Sequence, residues 1–421
     1  MAKIEDELRD SNPWWKGEFR IEYKERDIYK RLSKFLSLPQ IIALTGLRRV
    51  GKTTIMLKLV EDYIKNGFEP KNILYFPFDE FKEIEIRGLL GEYERLVEKN
   101  IGQGRFLLLF DEIQKLRNWE DQLKRIYDLY RNTKIIISGS ESLFLRKKSK
   151  ETLAGRMFEF KINPLSFKEF LKFKGVEFQP TGIYEKELRK LFNEFTLTMG
   201  FPELIGITDR EIIKKYVGES IVEKIIYRDI PQLFEINNVE ILKSVLNTIT
   251  EEPGQLIEVS HLANELGISR QTASNYLNYL GESFLIIKLY NFSKNRRKVE
   301  RKLKKYYPAI LSPNLLFNQD DHSRSRVLEW LAITQLNAEF FWRDPYKNEV
   351  DAVIGEKPVP IEVKYGRIDT SGLLAFMKKF NVKKGYILSS EREEKIKVGG
   401  KVIEVVPLFK FLLNFAPSFK C

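Results

Sequence analysis

Residues 46–54 read Gly46-Leu47-Arg48-Arg49-Val50-Gly51-Lys52-Thr53-Thr54, which is a complete phosphate-loop motif of the form G-x-x-x-x-G-K-[ST]. The apolar run Ile41-Ile42-Ala43-Leu44 leads into the motif, and apolar residues at helical spacing follow it as far as Val60. A strand, a glycine-rich turn and a helix in this order direct backbone N–H groups and the positive end of a helix towards phosphate oxygens. The stretch therefore predicts a nucleotide site.

The residues of this loop have separate expected roles. Gly46 and Gly51 allow the backbone to turn around the phosphates, and Lys52 is expected to reach the β- and γ-phosphates. The hydroxyl of Thr53 is the expected protein ligand of Mg²⁺, with Thr54 supporting it from the first helical turn. The predicted cofactors are therefore ATP and Mg²⁺, and the whole loop forms the ATP-binding segment: Gly46, Leu47, Arg48, Arg49, Val50, Gly51, Lys52, Thr53 and Thr54.

A second motif ends another apolar run. Residues 105–110 have the pattern of a buried strand, and Asp111 and Glu112 follow it directly. An acidic pair at the end of such a strand is typical of a Walker B motif, in which Asp111 holds Mg²⁺ and Glu112 polarises the water that attacks the γ-phosphate. The sequence therefore predicts hydrolysis as well as binding.

Two further residues are candidates for the same site. Ser140 follows the apolar run 134–138 and is the candidate sensor of the γ-phosphate, although a Gly/Ser loop is also an ordinary way to end a strand. Arg156 follows the basic loop 146–150 and is either an arginine finger or a surface arginine. Residues 72–78 also have the pattern of a strand, and a last strand at 158–162 completes five predicted strands of a doubly wound α/β sheet.

Composition bounds the remaining possibilities. The 421 residues suggest about three domains. No apolar run reaches the ~20 residues of a membrane helix and no signal-peptide pattern opens the chain, so we expect no membrane partner and a cytoplasmic location. The single cysteine and two histidines argue against zinc sites, while the net charge of +12 favours a polyanionic partner. Abundant Lys and Glu with almost no Cys also suggest a thermophile.

A helix-turn-helix is predicted after residue 255. Residues 258–266 and 270–277 have helical patterns, and Gly267 suits the left-handed turn between them. The strand-like run 284–289 and the basic run from Lys294 to Lys305 then suggest a wing. The module either binds DNA or docks protein. The DNA-contact candidates are Arg270, Gln271, Ser274, Arg296, Arg297 and Lys298.

The C-terminal part carries a pattern known from metal-dependent nucleases. Asp351 lies in one predicted strand, and Glu362 and Lys364 lie in the next, after the turn 355–358. Two neighbouring strands bring both acids to one Mg²⁺, while Lys364 activates water; Glu329 on the preceding helix would complete the site. The alternative is a nuclease-like fold without activity, used for packing or binding.

Six motifs follow one another along the chain: Gly46 to Thr53, Asp111-Glu112, Gly139-Ser140-Glu141-Ser142, Leu153-Ala154-Gly155-Arg156, residues 164–170, and Gly200-Phe201-Pro202. Together they resemble the archaeal AAA-type ATPases, members of which carry a winged helix and a restriction-endonuclease-like C-terminal domain. The resemblance implies an ATPase in which Arg156 senses phosphate or acts as a finger. The roles of Lys52, Thr53, Asp111, Glu112 and Ser140 stay as described above.

The predicted architecture is an α/β, P-loop, AAA-type core at 1–163, a helical lid at 164–250, a winged helix at 251–313 and a small α/β nuclease-like domain at 314–421. The leading hypothesis is an ATP-driven DNA-binding protein, with an ATP-regulated nuclease as a second. The third is a STAND-like ATP/ADP switch with a protein-binding winged helix and an inert C-terminal domain. A homo-oligomer, a dimer and a monomer are all compatible with the ATP site.

Overall fold

The computed structural model describes residues 2–140, 151–176, 182–295, 299 and 303–414. The chain divides into two compact units, Met1–Pro164 and Leu165–Cys421. The boundaries of the four predicted domains stay a prediction. Among the described residues, no helix combines the length and apolar character needed to cross a membrane.

The first unit alternates strands and helices. In chain order its main elements are α1 Ala2–Asp10, α2 Asp27–Ser33, β1 Ile41–Thr45, α3 Lys52–Lys65, β2 Ile73–Pro77, α4 Ile86–Val97, β3 Phe106–Asp111, α5 Trp119–Leu129, β4 Thr133–Gly139 and β5 Met157–Lys161.

The five strands of this unit form one parallel sheet in the order β2-β3-β4-β1-β5. Strands β1, β3 and β4 are buried along their whole length, as expected for parallel strands covered on both faces. The five predicted strands are confirmed. Since β1 and β3 end at the same edge of the sheet, the segments that follow them, beginning at Gly46 and Glu112, lie at that edge.

The N-terminal segment protects the edge strand β2. The side chain of Asn12 pairs with the backbone of Tyr75, donating to its carbonyl at 2.8 Å and accepting from its N–H at 2.7 Å. The indoles of Trp14 and Trp15 donate to the carbonyl of Ile73 at 3.2 and 2.9 Å. These side chains occupy backbone groups that an exposed edge would offer to another chain.

The second unit contains the other elements. Its helices are α6 Phe167–Phe173, α7 Glu185–Thr198, α8 Arg210–Val217, α9 Ile230–Leu233, α10 Val239–Glu251, α11 Val259–Glu265, α12 Arg270–Glu282, α13 Pro313–Phe317, α14 Asp321–Gln335, α15 Ser371–Phe380 and α16 Leu408–Asn414, with π-helical segments at Gly218–Glu223 and Ile225–Asp229. Its strands are β6 Gln255–Ile257, β7 Ile286–Asn291, β8 Lys304–Pro308, β9 Phe340–Arg343, β10 Glu349–Ile354, β11 Val359–Lys364, β12 Lys384–Ser389, β13 Glu394–Val398 and β14 Lys401–Pro407.

The nine strands that the structure describes in this unit belong to one sheet, in the order β13-β14-β12-β11-β10-β9-β7-β8-β6. A short parallel pairing of β7 with β9, through Tyr290 with Phe340 and Asn291 with Phe341, joins the strands after the helix-turn-helix to the C-terminal strands. The sequence analysis assigned these strands to separate domains and contained no signal for this pairing. The predicted hairpin of β10 and β11 is confirmed, and its strands are antiparallel.

Candidate functional site

The phosphate loop connects β1 to α3, and both of its glycines have left-handed backbones. Gly46 has φ 144° and Gly51 has φ 94°. A Cβ atom on Gly46 would lie 2.2 Å from the carbonyl oxygen of Ile162. The loop therefore needs glycine at position 46 for space as well as for conformation.

Lys52 lies at the start of α3, where it is buried. Its ammonium donates to the carbonyls of Gly46 and Leu47, at 3.1 and 2.9 Å, and lies 3.9 Å from Glu112 Oε1. The positive charge is thus held over the loop, where the phosphate oxygens of a nucleotide are expected. Lys52 and Glu112, which the sequence predicts to act in the same site, therefore lie side by side.

Thr53 and Asp111 form the oxygen pair that a magnesium ion would need. The hydroxyl of Thr53 donates to Asp111 Oδ2 at 2.6 Å. The same oxygen accepts from the hydroxyl of Tyr75 at 2.8 Å, and Asp111 Oδ1 accepts from Ser138 Oγ. A hydroxyl and a carboxylate side by side are donors that Mg²⁺ prefers, so this pair fits the ion.

Tyr75 is a neighbour of the site that sequence reasoning missed. Burial, followed by the charge of Asp111, raises the pKa of its hydroxyl well above the ordinary value. The hydroxyl therefore stays protonated and donates to the carboxylate, which fixes the orientation of Asp111. Its position on β2 identifies Tyr75 only once the strand order is known.

Gln114 connects the other two candidates. Its amide nitrogen donates to Glu112 Oε2 at 2.5 Å and to Ser140 Oγ at 3.1 Å. Its amide oxygen is buried and has no hydrogen-bond partner among the described residues. Glu112 itself has a left-handed backbone, with φ 52°. Glu112 and Ser140 thus converge through a glutamine that the sequence analysis did not select.

Arg26 stabilises the loop from outside the motif. Its guanidinium donates to the carbonyl of Val50 at 2.9 Å and to that of Asn163 at 2.7 Å, and the residue is buried. Arg26 therefore ties the phosphate loop to the segment that follows β5. The sequence analysis did not select Arg26, because nothing local distinguishes it from other basic residues.

Arg156 is not brought to the phosphate loop of its own chain. Its carbonyl accepts from the N–H of Ile41, where β1 begins, and its side chain pairs with Asp128 at 3.1 Å. The start of β1 and the loop after β1 lie at opposite edges of a parallel sheet. A finger role for Arg156 would thus require the site of a second copy. The motif residues Glu141 and Ser142, and the basic loop 146–150, lie outside the described residues.

The predicted helix-turn-helix consists of α11 and α12. Gly267 has φ 64° in the turn, and Ser269 Oγ accepts from the N–H of Thr272 at 3.0 Å as the N-cap of α12. Arg270 and Gln271 are exposed, and Ser274 is half-buried. The other predicted DNA contacts, Arg296, Arg297 and Lys298, lie outside the described residues.

Two amides that sequence reasoning did not select lie on the same helix. Asn278 is exposed, and Asn275 accepts from the amide of Gln271 at 2.9 Å. Their spacing along the helix, at i+4 and i+7 from Gln271, places all three amides on one face.

The four predicted nuclease residues are brought together in the second unit. A further lysine, Lys305, lies among them. Lys364 contacts Glu362 at 2.7 Å, and the N–H of Val363 donates to Asp351 Oδ2 at 2.8 Å. Lys305 Nζ lies 3.5 Å from Asp351 Oδ1 and 3.6 Å from Glu329 Oε1. Across the described residues, no group of three or more His, Cys, Asp or Glu side chains is arranged to hold a metal. The residues present therefore do not fit the metal site that the nuclease pattern predicts.

Burial controls the protonation of this cluster. Burial raises the pKa of Glu362 and of Glu329, and the Asp351 carboxylate raises both further. Burial alone would lower the pKa of Lys305, but Tyr307 and the surrounding carboxylates hold it well above its ordinary value. Lys305 is therefore a buried cation. The sequence analysis had placed it at the end of a basic wing.

Three family models match parts of the chain: an AAA domain over residues 38–171, a domain of unknown function (DUF8612) over 189–309, and another (DUF4143) over 327–411. Among solved structures, the chain resembles Cdc6p from Pyrobaculum aerophilum with a TM-score of 0.32 and 12% identity, over 76% of this chain and 97% of that one. This likeness is too distant to support an argument about function.

Two curated relatives come from Methanocaldococcus jannaschii, and both are called uncharacterized proteins. MJ1637 is 26% identical over 411 residues, which cover 89% of this chain and 85% of that protein. MJ1544 is 31% identical over 404 residues, which cover 89% of each chain. The chain therefore belongs to the family of MJ1544, and its phosphate loop and acidic strand end lie within an AAA domain.

Proposed function

We propose that the protein is an ATPase of the AAA type that hydrolyses ATP with Mg²⁺. The observation that carries the proposal is the 2.6 Å contact between the hydroxyl of Thr53 and the carboxylate of Asp111, which unites the phosphate loop with the acidic strand end. Together with the buried Lys52 and with Glu112, this pair supplies the groups that phosphoryl transfer to water requires.

The chain's own groups have distinct parts in this mechanism. Lys52 would exchange its loop carbonyls for the β- and γ-phosphate oxygens, and Thr53 with Asp111 would hold the ion. Bound Mg²⁺ supplies neutralisation of the charge that develops on the phosphates. Glu112 would accept a proton from the attacking water. Gln114, which donates to both Glu112 and Ser140, would hold these two side chains next to each other.

DNA binding is the second part of the proposal. The order α10, β6, α11, α12, β7, β8, with β8 pairing antiparallel with both β6 and β7, supports a winged helix. In that arrangement α12 is the recognition helix, and its exposed face carries Arg270 and the amides of Gln271, Asn275 and Asn278. Arginine pairs well with guanine edges and amides with adenine edges in the major groove.

Substitution of this face tests the DNA role. A chain with both Arg270→Ala and Gln271→Ala is expected to bind duplex DNA at least about 30-fold more weakly, since two good base contacts of about 1–3 kcal/mol each contribute about 2 kcal/mol or more. Fluorescence anisotropy with labelled duplexes at fixed salt measures the loss. Lys378→Ala, which removes an exposed charge from α15, is the matched control and should change affinity little.

The DNA role fails if neither duplex nor single-stranded DNA binds the wild-type chain or alters its rate of ATP hydrolysis. Slow turnover, tight retention of ADP and no affinity for DNA would favour the alternative of a STAND-like switch with a protein-binding winged helix. The ionic cluster around Lys305 agrees with the inert C-terminal domain that this alternative assumes, and it gives no support to the nuclease role.

A further inference from the structure

Gln114 is held beside the end of β3 by a tight turn. Strand β3 ends at Asp111, Glu112 follows it with a left-handed backbone, and a 3₁₀-helical turn then spans Ile113–Lys115. The N–H of Lys115 donates to the carbonyl of Glu112 at 2.9 Å and closes this turn. Gln114 is only 5% exposed, so its side chain is held inside the protein next to the acidic strand end.

Both hydrogens of the Gln114 amide nitrogen are used. The nitrogen donates to Glu112 Oε2 at 2.5 Å and to Ser140 Oγ at 3.1 Å. An ionised carboxylate only accepts hydrogen bonds, so the amide atom that faces Glu112 is the nitrogen and not the oxygen. The amide therefore has one orientation, which leaves its oxygen for a different donor.

The amide oxygen of Gln114 is an acceptor that these contacts do not use. Gln114 Oε1 is buried, and it has no hydrogen-bond partner among the described residues. Burial of an amide oxygen without a donor is costly, and such groups in proteins usually have a functional partner or an ordered water. Since the nitrogen of the same amide binds two groups of the ATP site, a donor that acts in that site is the partner to expect.

The position of Glu112 indicates which donor this is. Glu112 Oε1 lies 3.9 Å from the ammonium of Lys52, the lysine expected to bind the γ-phosphate, while Glu112 Oε2 faces Gln114. A water that attacks the γ-phosphorus directs a lone pair at it, so both of its O–H bonds must point to acceptors elsewhere. Glu112 is the acceptor for one O–H bond, and Gln114 Oε1 is an unused acceptor in the adjacent side chain.

We propose that Gln114 is a catalytic residue that orients the attacking water, with its Oε1 accepting one O–H bond while Glu112 accepts the other. As the water oxygen bonds to the γ-phosphorus, the bond from that phosphorus to the bridging oxygen of ADP breaks and ADP leaves. The proton directed at Glu112 passes to its carboxylate, and the hydrogen directed at Gln114 stays on the phosphate product. This inference rests on the proposed ATPase activity and assigns the second acceptor of its nucleophile.

Gln114→Met tests the proposal, because it keeps the length of the side chain and removes both polar atoms. We expect kcat for ATP to fall about 10- to 100-fold, the usual cost of a misplaced reactant, while the affinity for a non-hydrolysable ATP analogue stays at the parental value. Single-turnover hydrolysis and calorimetric titration measure the two quantities. Gln122→Met is the matched control, since it removes an amide that contacts the backbone of Ile86 and Arg117 instead, and it should keep the parental kcat.

The Glu112→Gln background separates orientation of the water from support of the base. If Gln114 only held Glu112 in place, Gln114→Met would cause no further loss in a chain that already lacks the base. We expect a further loss of about tenfold in the single-turnover rate, because the water also loses the acceptor that Gln114 provides. Long incubations with radiolabelled ATP make these slow rates measurable.

The outcomes distinguish this inference from the proposed function. A parent chain that does not hydrolyse ATP overturns both, whereas an active parent chain with a folded Gln114→Met variant at the parental kcat overturns only the role of Gln114. Equal rates for Glu112→Gln with and without Gln114→Met would also overturn that role. If Gln114→Met does not fold, Gln114→Asn replaces it, because the shorter side chain keeps the amide but draws it back from the water. A folded Gln114→Asn chain with the parental kcat would equally contradict the inference.

Discussion

Glu112→Gln is expected to bind ATP as tightly as the parent chain and to hydrolyse it about 10²- to 10⁴-fold more slowly, the usual contribution of a positioned general base. The glutamine keeps the size of the side chain and its contact with Gln114, but it cannot accept the proton of the attacking water. Lys52 loses a negative neighbour 3.9 Å away, so phosphate binding should not weaken. Single-turnover hydrolysis of radiolabelled ATP, with the affinity for ATP measured separately, separates the two effects.

Glu120→Gln is the control for this prediction. It removes another buried acidic side chain of the same unit, on α5, and it is not part of the contact set around Asp111. Its rate of hydrolysis should stay close to that of the parent chain. A Glu112→Gln chain that hydrolyses ATP at the parental rate would show that Glu112 is not the base, and the mechanism would need another acceptor.

Lys305→Ala is expected to lower the free energy of unfolding of the second unit by about 3–5 kcal/mol, because removal of one partner leaves buried charges uncompensated. The effect should appear as a transition at a lower urea concentration. Trp330, whose indole donates to the carbonyl of Pro308 at the end of β8 at 2.7 Å, is close enough to report on this strand by fluorescence.

The double variant Lys305→Ala with Asp351→Asn measures the coupling. The two residues contact each other, so the second substitution should cost less in the Lys305→Ala background than in the parent chain, by about 0.5–3 kcal/mol. Lys378→Ala, at an exposed position on α15, should change stability by no more than about 0.5 kcal/mol. Equal losses for Lys305→Ala and Lys378→Ala would contradict the assignment of Lys305 as a buried cation.

The sequence predicts the first unit well because its signals are local. The glycine, lysine and threonine positions of the phosphate loop are contiguous in the chain, and the apolar runs before Gly46 and Asp111 have the length of buried strands. Parallel strands that end at the same edge then bring Thr53 to Asp111 without any further information. The roles predicted for Lys52, Thr53, Asp111 and Glu112 rest on this order along the chain.

The residues that the sequence analysis missed act through contacts between distant segments. Arg26 reaches Val50 and Asn163, and Tyr75 reaches Asp111, across 24, 137 and 36 positions respectively. No periodicity marks such residues, since each lies in a segment whose local pattern is already explained. Gln114 is easier to identify from sequence, because it lies two positions after Glu112. A polar side chain so near the acidic pair is itself a candidate for the site.

The second unit shows the same limit more strongly. The sequence analysis assigned the basic run that ends at Lys305 to the wing of a winged helix, and it assigned the acidic pattern of Asp351 and Glu362 to a separate domain. The pairing of β7 with β9 places these segments in one sheet, and Lys305 lies among the carboxylates. A lysine in a basic run of the sequence can therefore be the buried partner of carboxylates from other strands and helices.

The most direct test of the central claim is phosphate release from ATP in the presence of Mg²⁺ by the purified full chain, compared with Lys52→Ala under the same conditions. We predict turnover by the parent chain that EDTA abolishes, and no turnover above background by Lys52→Ala, because Lys52 is the buried cation of the phosphate loop. A folded parent chain that releases phosphate no faster than Lys52→Ala would contradict the account.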